Sequence, residues 1–146
     1  MRVSTRFSDS IHLLAYIKIY ADTRLTSDAI AASIETSPVV VRRLMSKLRQ
    51  AGLLTTTPGT AQPALAKPLS QVSLLSVFYA IEGDKPLLAV DPKTNPDCIV
   101  GGNIQTVLKQ YYQEAQTAAE ARLAKTSLQD VVDNIVVEQA KKDARQ

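Results

Sequence analysis

Among the side chains able to do chemistry, cations dominate, and Arg42, Arg43, Lys47 and Arg49 crowd into one stretch, IETSPVVVRRLMSKLRQAGLL, from Ile34 to Leu54. A guanidinium is a planar fork that bonds two acceptors at once, and a lysine ammonium is a mobile point charge, so the cluster is suited to phosphates and base edges. Acid–base and metal chemistry have far less to work with. His12 is the only histidine and Cys98 the only cysteine, which excludes an intramolecular disulfide framework and an all-cysteine metal site built from one chain. No nucleophile is paired with a base at a recognisable spacing, so no enzyme is expected. His12 lies between apolar neighbours and reads as a packed or partly exposed core histidine. Gly101-Gly102 lacks the following Lys-Ser/Thr of a phosphate-binding loop and reads as a flexible start to the next helix.

The cations sit on an element with a marked periodicity. Val41, Leu44, Met45 and Leu48 fall at i, i+3, i+4 and i+7, one face of an amphipathic helix. At about 100° per residue, Thr36, Val39, Arg43, Ser46 and Gln50 lie opposite, flanked by Arg42 and Lys47. Ser37 reads as the N-cap with Pro38 at the first helical position, and Gly52 as the stop. Upstream, TRLTSDAIAASIE (Thr23 to Glu35) has its own cap in Thr26 or Ser27 and apolar Ile30, Ala31 and Ile34. Two short helices joined by a few residues make a helix-turn-helix. LLTTTPG and a weak return strand ALAK (Ala64 to Lys67) then predict a hairpin around a Pro-Gly turn. Helix, helix, turn, helix, hairpin is the order of a winged helix-turn-helix, whose second paired helix enters the DNA major groove.

The rest of the chain supplies a frame. FSDSIHLLAYIKIY (Phe7 to Tyr20), capped at Ser8, is apolar almost all round and predicts a buried central helix. SQVSLLSVFYAIEG predicts a helix from a Ser70 cap to a Gly83 stop, with Leu74, Val77, Phe78 and Ile81 inward. Residues 84–103, rich in Pro, Gly, Asp and Asn, read as a linker. Ile104 to Ala124 then reads as a single helix of roughly 30 Å. Its stripe of Leu108, Tyr112, Ala115, Ala119 and Leu123, with Tyr111 beside it, is expected to pack against its own copy in a dimer. Ser127 and Asp130 resemble a capping box opening a last helix, and the tail KKDARQ should fray. The chain thus divides into a winged helix-turn-helix over 1–83, the linker over 84–103, a dimerisation helix over 104–126, and a C-terminal helix over 127–146 that packs back on the domain.

Composition sets outer limits. The 146 residues are 45% hydrophobic and 21% charged, as in an ordinary globular protein with one core. No run approaches the ~18 apolar residues of a membrane span, and the N-terminus lacks the apolar core of a signal peptide, so a cytoplasmic protein with no membrane partner is expected. Residues 1–50 carry eight Lys/Arg against four Asp/Glu, whereas residues 104–146 carry six of each. The basic excess accompanies the helix-turn-helix, where neutralising phosphates would release counterions.

In order and spacing, VVVRRLMSKLRQAGLL, Ala64-Leu65-Ala66-Lys67 leading into VSLLSVFYAIEG, NPDC before the long helix and TSLQDVV opening the last one resemble the Rrf-two family of bacterial transcriptional regulators, the group of the IscR, NsrR and CymR types. The resemblance spans nearly the whole chain. It implies a mainly α fold in which a winged helix-turn-helix with a small hairpin wing joins a long dimerisation helix. It also implies a homodimeric repressor that reads a palindromic operator in double-stranded DNA with the helix over 37–51. Carried onto this sequence, the DNA-binding positions are Ser37, Val39, Val40, Arg42, Arg43 and Lys47, with Thr36 and Arg49 on the same element. Thr5 and Arg6, ahead of the first helix, would touch phosphate. Arg43 is the choice for a base edge, and Lys47 and Arg49 for phosphates.

Two departures qualify what is carried over. Iron-sulfur members hold three cysteines before the long helix, whereas Cys98 stands alone here, so no cluster and no other cofactor is expected. Cys98 then reads either as a lone redox-sensing thiol or as an unreactive remnant. The wing keeps Gly59 but has Pro58 and Gln62-Pro63, which removes backbone donors and predicts a short or non-contacting wing. A small-molecule or protein co-effector remains open, with Tyr16, Tyr20, Tyr79 and Tyr111 as candidate lining residues. The competing function is a protein-interaction module, in which the winged-helix dimer docks on a partner protein.

Overall fold

Leu13, Leu14 and Ile17 recur at helical spacing, and the helix that carries them, α1 (Arg6–Ile19), is the central support of the computed structural model, which describes residues 4–60 and 62–146. The helix opens two residues before the expected Ser8 cap. Thr5 holds the N-cap position without a side-chain capping bond. Tertiary contacts extend the first turn instead: Arg6 pairs with Glu82 at 3.4 Å, and Phe7 packs edge-on against Phe78 with ring centroids 5.4 Å apart.

The next two helices are set by local capping. Thr26 accepts from the Ala29 N–H at 3.0 Å and opens α2 (Ser27–Ile34); Ser37 accepts from the Val40 N–H at 3.3 Å and opens α3 (Pro38–Gln50). Between them Glu35 adopts a left-handed φ of 64°, reversing the chain without a glycine. A non-glycine residue in this region is uncommon, and here it is stabilised by the Thr36 N–H bonding the Ala31 carbonyl at 3.0 Å. Gly52, with φ of 76°, ends α3 where a side chain would be strained.

The hairpin follows at once. Strand β1 (Leu54–Thr56) pairs antiparallel with β2 (Pro63–Leu65), with Leu54 opposite Leu65 and Thr56 opposite Pro63. The return strand thus begins a residue earlier than ALAK and admits a proline at its end, where no ladder donor is required. A 3₁₀ turn at Leu69–Gln71 then leads into α4 (Leu74–Glu82). Ser73, not Ser70, is its cap, accepting from the Ser76 N–H at 3.1 Å. Ser70 is consumed by the 3₁₀ turn, which drops the buried Leu69 and Val72 into the core.

The last two helices are α5 (Ile104–Ala124) and α6 (Leu128–Ala144), the latter opened by the Ser127–Asp130 capping box. Leu74 N–H bonds the Thr126 carbonyl at 2.9 Å and Leu128 N–H bonds the Val72 carbonyl at 2.8 Å, tying the starts of α4 and α6 together. Leu128 and Val132 are buried in the common core with Leu13, Ile30, Val41 and Val77. KKDARQ does not fray as a whole: helix α6 carries Lys141 through Ala144. Residues 84–103 form no helix or strand, yet they are no free tether. Leu87 N–H bonds Gln116 Oε1 and Gln105 bonds the Asp91 carbonyl, both at 2.9 Å, laying the segment along α5.

One core atom lacks a partner. The Ser10 hydroxyl, wholly buried in α1, makes no hydrogen bond among the described residues. A buried, unsatisfied hydroxyl costs stability, so Ser10→Ala is expected to raise the free energy of unfolding by about 1 kcal/mol, as read by urea denaturation at constant m-value.

Candidate nucleic-acid interface

Helix α3 divides cleanly into a buried and an open side. Val41, Leu44, Met45 and Leu48 face the core, while Val39, Arg42, Arg43, Ser46, Arg49 and Gln50 are exposed. Val39 leaves 47% of its surface in solvent on a helix whose other apolar residues are covered. Arg42, Arg43 and Arg49 form no ion pair or side-chain hydrogen bond among the described residues, so their donors are free for an external acceptor. The two-helix frame holds this face rigidly, because α2 and α3 share the buried Ile30, Ala31, Val41 and Met45.

Not all the expected contact residues share that face. Lys47 turns inward and donates from Nζ to the Ile81 carbonyl at 3.3 Å, near the last turn of α4. There an ammonium satisfies an otherwise open helix-end carbonyl. Val40 is half-buried against the core. Thr36 is half-buried and Ser37 exposed at the foot of the helix. Thr5 is exposed, but Arg6, which opens α1 and does not precede it, has one guanidinium nitrogen on Glu82. Ser46, which periodicity places on the outward face, is exposed there between Arg42 and Arg49.

The wing is short and anchored. Thr57 N–H bonds the Gln62 carbonyl at 2.8 Å across its turn, and Gln62 Oε1 accepts from Leu25 N–H at 3.1 Å. The Gln62 bond pins the turn end of the hairpin to the segment ahead of α2. Nothing in the periodicity pointed to that role, because it joins residues far apart in the chain. Thr55 through Thr60 are exposed and carry no cation, so the wing offers hydroxyls and backbone donors but no charge to a phosphate.

The Cys98 turn is built on close backbone approaches. Gly102 N–H bonds the Cys98 carbonyl at 2.7 Å and Thr94 Oγ1 bonds the Gly101 carbonyl at 2.5 Å. A Cβ on Gly101 would strike the Asn95 backbone, and one on Gly102 would lie 2.8 Å from the Pro96 carbonyl oxygen. The glycine pair is therefore a packing requirement, not a flexible lead-in to α5. Cys98 is exposed, and hydrogen bonds from the backbones of Gly101 and Val100 hold its thiol below the ordinary cysteine range. Such bonds favour the thiolate. The expected outcome is that alkylation by iodoacetamide reaches its half-maximal rate at lower pH than in an unfolded Cys98 peptide. In Gly101→Ala, which disrupts the turn, the midpoint should move back up.

Helix α5 buries none of its residues within the chain. Val107 and Tyr111 stay 48% and 61% exposed, Ala115 is exposed, and Leu108, Tyr112, Ala119 and Leu123 are half-buried. Tyr112 is partly occupied already, walling a small depression with Pro86, Leu88 and Val90 of the 84–103 segment. Tyr79 clasps α4 to α5, its hydroxyl donating to Glu120 Oε1 at 2.7 Å, and that bond holds the phenol above its usual pKa. The phenol therefore keeps its proton, and α4 its clasp, to higher pH than a free tyrosine would allow.

No helix among the described residues is long and apolar enough to cross a membrane. No three His, Cys, Asp or Glu side chains converge among the described residues to hold a metal ion.

Against known proteins, the sequence profile of the Rrf2 family, described as "Iron-dependent Transcriptional regulator", matches residues 3–134. The HTH-type transcriptional regulator YwnA of Bacillus subtilis is 38% identical over 133 residues, spanning 91% of this chain and 98% of that one. A crystal structure described as a DNA binding protein superposes with a TM-score of 0.70 at 38% identity, over 86% of this chain and 97% of that one. CymR, the global cysteine regulator of Bacillus subtilis, shares the fold at a TM-score of 0.67 and 18% identity, over 91% and 97% of the two chains. Cys98 is the single thiol in the sequence, and among the described residues it belongs to no group of three His, Cys, Asp or Glu side chains. Family and relatives are transcriptional regulators and not enzymes. With its winged helix-turn-helix, its long α5 and the profile match over most of its length, the chain belongs to the Rrf2 (Rrf-two) family of transcriptional regulators.

Proposed function

We propose that the chain acts as a homodimeric, sequence-specific repressor that lays α3, with its caps Ser37 and Ala51, in the major groove of a palindromic operator. The observation that carries this reading is the outward face of α3: three unpaired guanidiniums with Val39 and Ser46 among them, on a helix braced by α2. Arg43 reads a guanine edge through paired donors to O6 and N7, and Val39 offers apolar surface to a thymine methyl. Arg42 and Arg49 bond phosphates and set the register. Lys47 supports the interface indirectly by holding α3 on α4. Two-fold symmetry comes from α5, whose exposed Val107, Tyr111 and Ala115 lie on one side and invite the same surface of a second copy. No iron-sulfur cluster takes part, and Cys98 is the candidate for a redox signal.

The test is fluorescence anisotropy of the purified chain with the DNA upstream of its own gene, at two salt concentrations and with Cys98 reduced or peroxide-treated. Saturable binding that weakens steeply with salt and exceeds binding to random DNA is the expected result. Salt-insensitive association with a protein partner and no preference for any DNA would replace it with a protein-interaction module. Unchanged affinity after peroxide would remove Cys98 from the signal while leaving the repressor reading intact.

A further inference from the structure

A groove of about 700 Å³ lies away from α3, between α1 and the second half of α6. That volume suits a small organic molecule. Its floor is apolar, formed by Ile11 and Ala15 of α1 and by Ile135 and Val136 of α6, and the two valine and isoleucine side chains from α6 remain exposed. One wall is aromatic: Tyr16 and Tyr20 stack at a tilt of 35° with ring centroids 4.5 Å apart. The single formal charge among the lining side chains is the carboxylate of Asp143. Gln139 donates to its Oδ1 at 2.8 Å, and Oδ2 has no partner among the described residues. The nearby lysines do not neutralise it. Lys141 is paired with Glu138 at 3.1 Å, and Lys142 lines a separate shallow depression with Val131 and Glu138.

An apolar floor, stacked electron-rich rings and one unneutralised carboxylate select a ligand that is both lipophilic and positively charged. We propose that the α1–α6 groove binds a small lipophilic cation, such as a hydrophobic amine or a quaternary onium ion. The groove also reaches the helix-turn-helix. His12 Nε2 and Ser33 Oγ share a hydrogen bond of 2.7 Å, and both residues line the groove, so a ligand there touches α2 directly. The effect on operator binding rests on the repressor reading above; ligand binding does not, and it is measured without DNA.

The probes are tetraphenylphosphonium and tetraphenylborate, which match in shape and differ in sign, titrated calorimetrically into the full chain. Tetraphenylphosphonium is expected to bind saturably at one site per chain, at least tenfold tighter than the borate. Asp143→Asn should weaken it by about three- to tenfold, and Ala140→Trp, which fills the groove from the exposed side of α6, should abolish it with an unchanged circular dichroism spectrum. Equal affinity for the two ions, absence of saturable binding, or an unaltered Asp143→Asn would overturn the proposal. Should neither ion bind while Ala140→Trp separates associated chains in sedimentation, the groove belongs to a contact between copies and the proposal fails. If the phosphonium binds as expected but leaves operator affinity unchanged, the site stands and its coupling through Ser33 does not.

Discussion

Arg43→Ala is expected to weaken operator binding by about 1 to 3 kcal/mol and to relax the preference at one base pair of each proposed half-site. The magnitude follows from geometry. A guanidinium with no protein partner arrives at the groove with all its donors available, and two of them match the O6 and N7 acceptors of one guanine. Loss of a bidentate contact is felt at that pair alone, so affinity for sites mutated there falls to that of the variant for the parent site. Arg49→Ala is expected to behave differently, reducing affinity for every sequence alike and lowering the slope of log affinity against log salt by about one. The pair of variants, measured by anisotropy on a panel of single-base operator changes, separates base reading from phosphate contact. Equal affinities of Arg43→Ala and the parent at matched salt would remove Arg43 from the base edge.

Ala115→Glu is expected to convert the proposed dimer into monomers in sedimentation at micromolar concentration and to lower operator affinity by about 10² to 10⁴-fold. Ala115 lies on the exposed side of α5, between the half-buried Leu108 and Ala119, where a second helix can approach closely. In a two-fold contact one substitution places two carboxylates near the axis, and neither can be neutralised by its own copy. The affinity loss is the loss of the second half-site, since both recognition helices no longer bind as one unit. Ala124→Glu, exposed on the side of α5 opposite Ala115, is the control and should leave both measurements unchanged. A dimeric Ala115→Glu protein would place the interface elsewhere. A monomeric one with parental affinity would sink the palindromic operator instead.

Local signals carried most of the helical frame. Ser37-Pro38 and Gly52 bracket α3 where periodicity put it, Thr26 caps α2, and the Ser127–Asp130 box opens α6. Each depends on residues three or four apart, whose geometry is settled by the helix itself. The misjudged boundaries share one cause. Ser8 and Ser70 are good caps by type, yet Arg6 and Phe7 find partners on α4, and Leu69 and Val72 are drawn into the core before a helix can start. Long-range burial outweighs a single capping bond.

By itself the sequence determined the element types, the amphipathic face of α3, the length of α5 and the absence of a cysteine ligand set, because these follow from periodicity, capping chemistry and composition. Only the tertiary structure decided which cations stay free. Lys47 and Arg43 look interchangeable on a helical wheel, but Lys47 donates to the Ile81 carbonyl and Arg43 has no side-chain partner among the described residues. Only it showed that Gly101 and Gly102 are required by the backbone of Asn95 and Pro96, that Gln62 anchors the wing, and that Tyr16, Tyr20 and Asp143 meet in one groove. Those facts depend on segments distant in the chain being packed together, and a one-dimensional pattern holds no record of which distant surfaces burial will bring into contact.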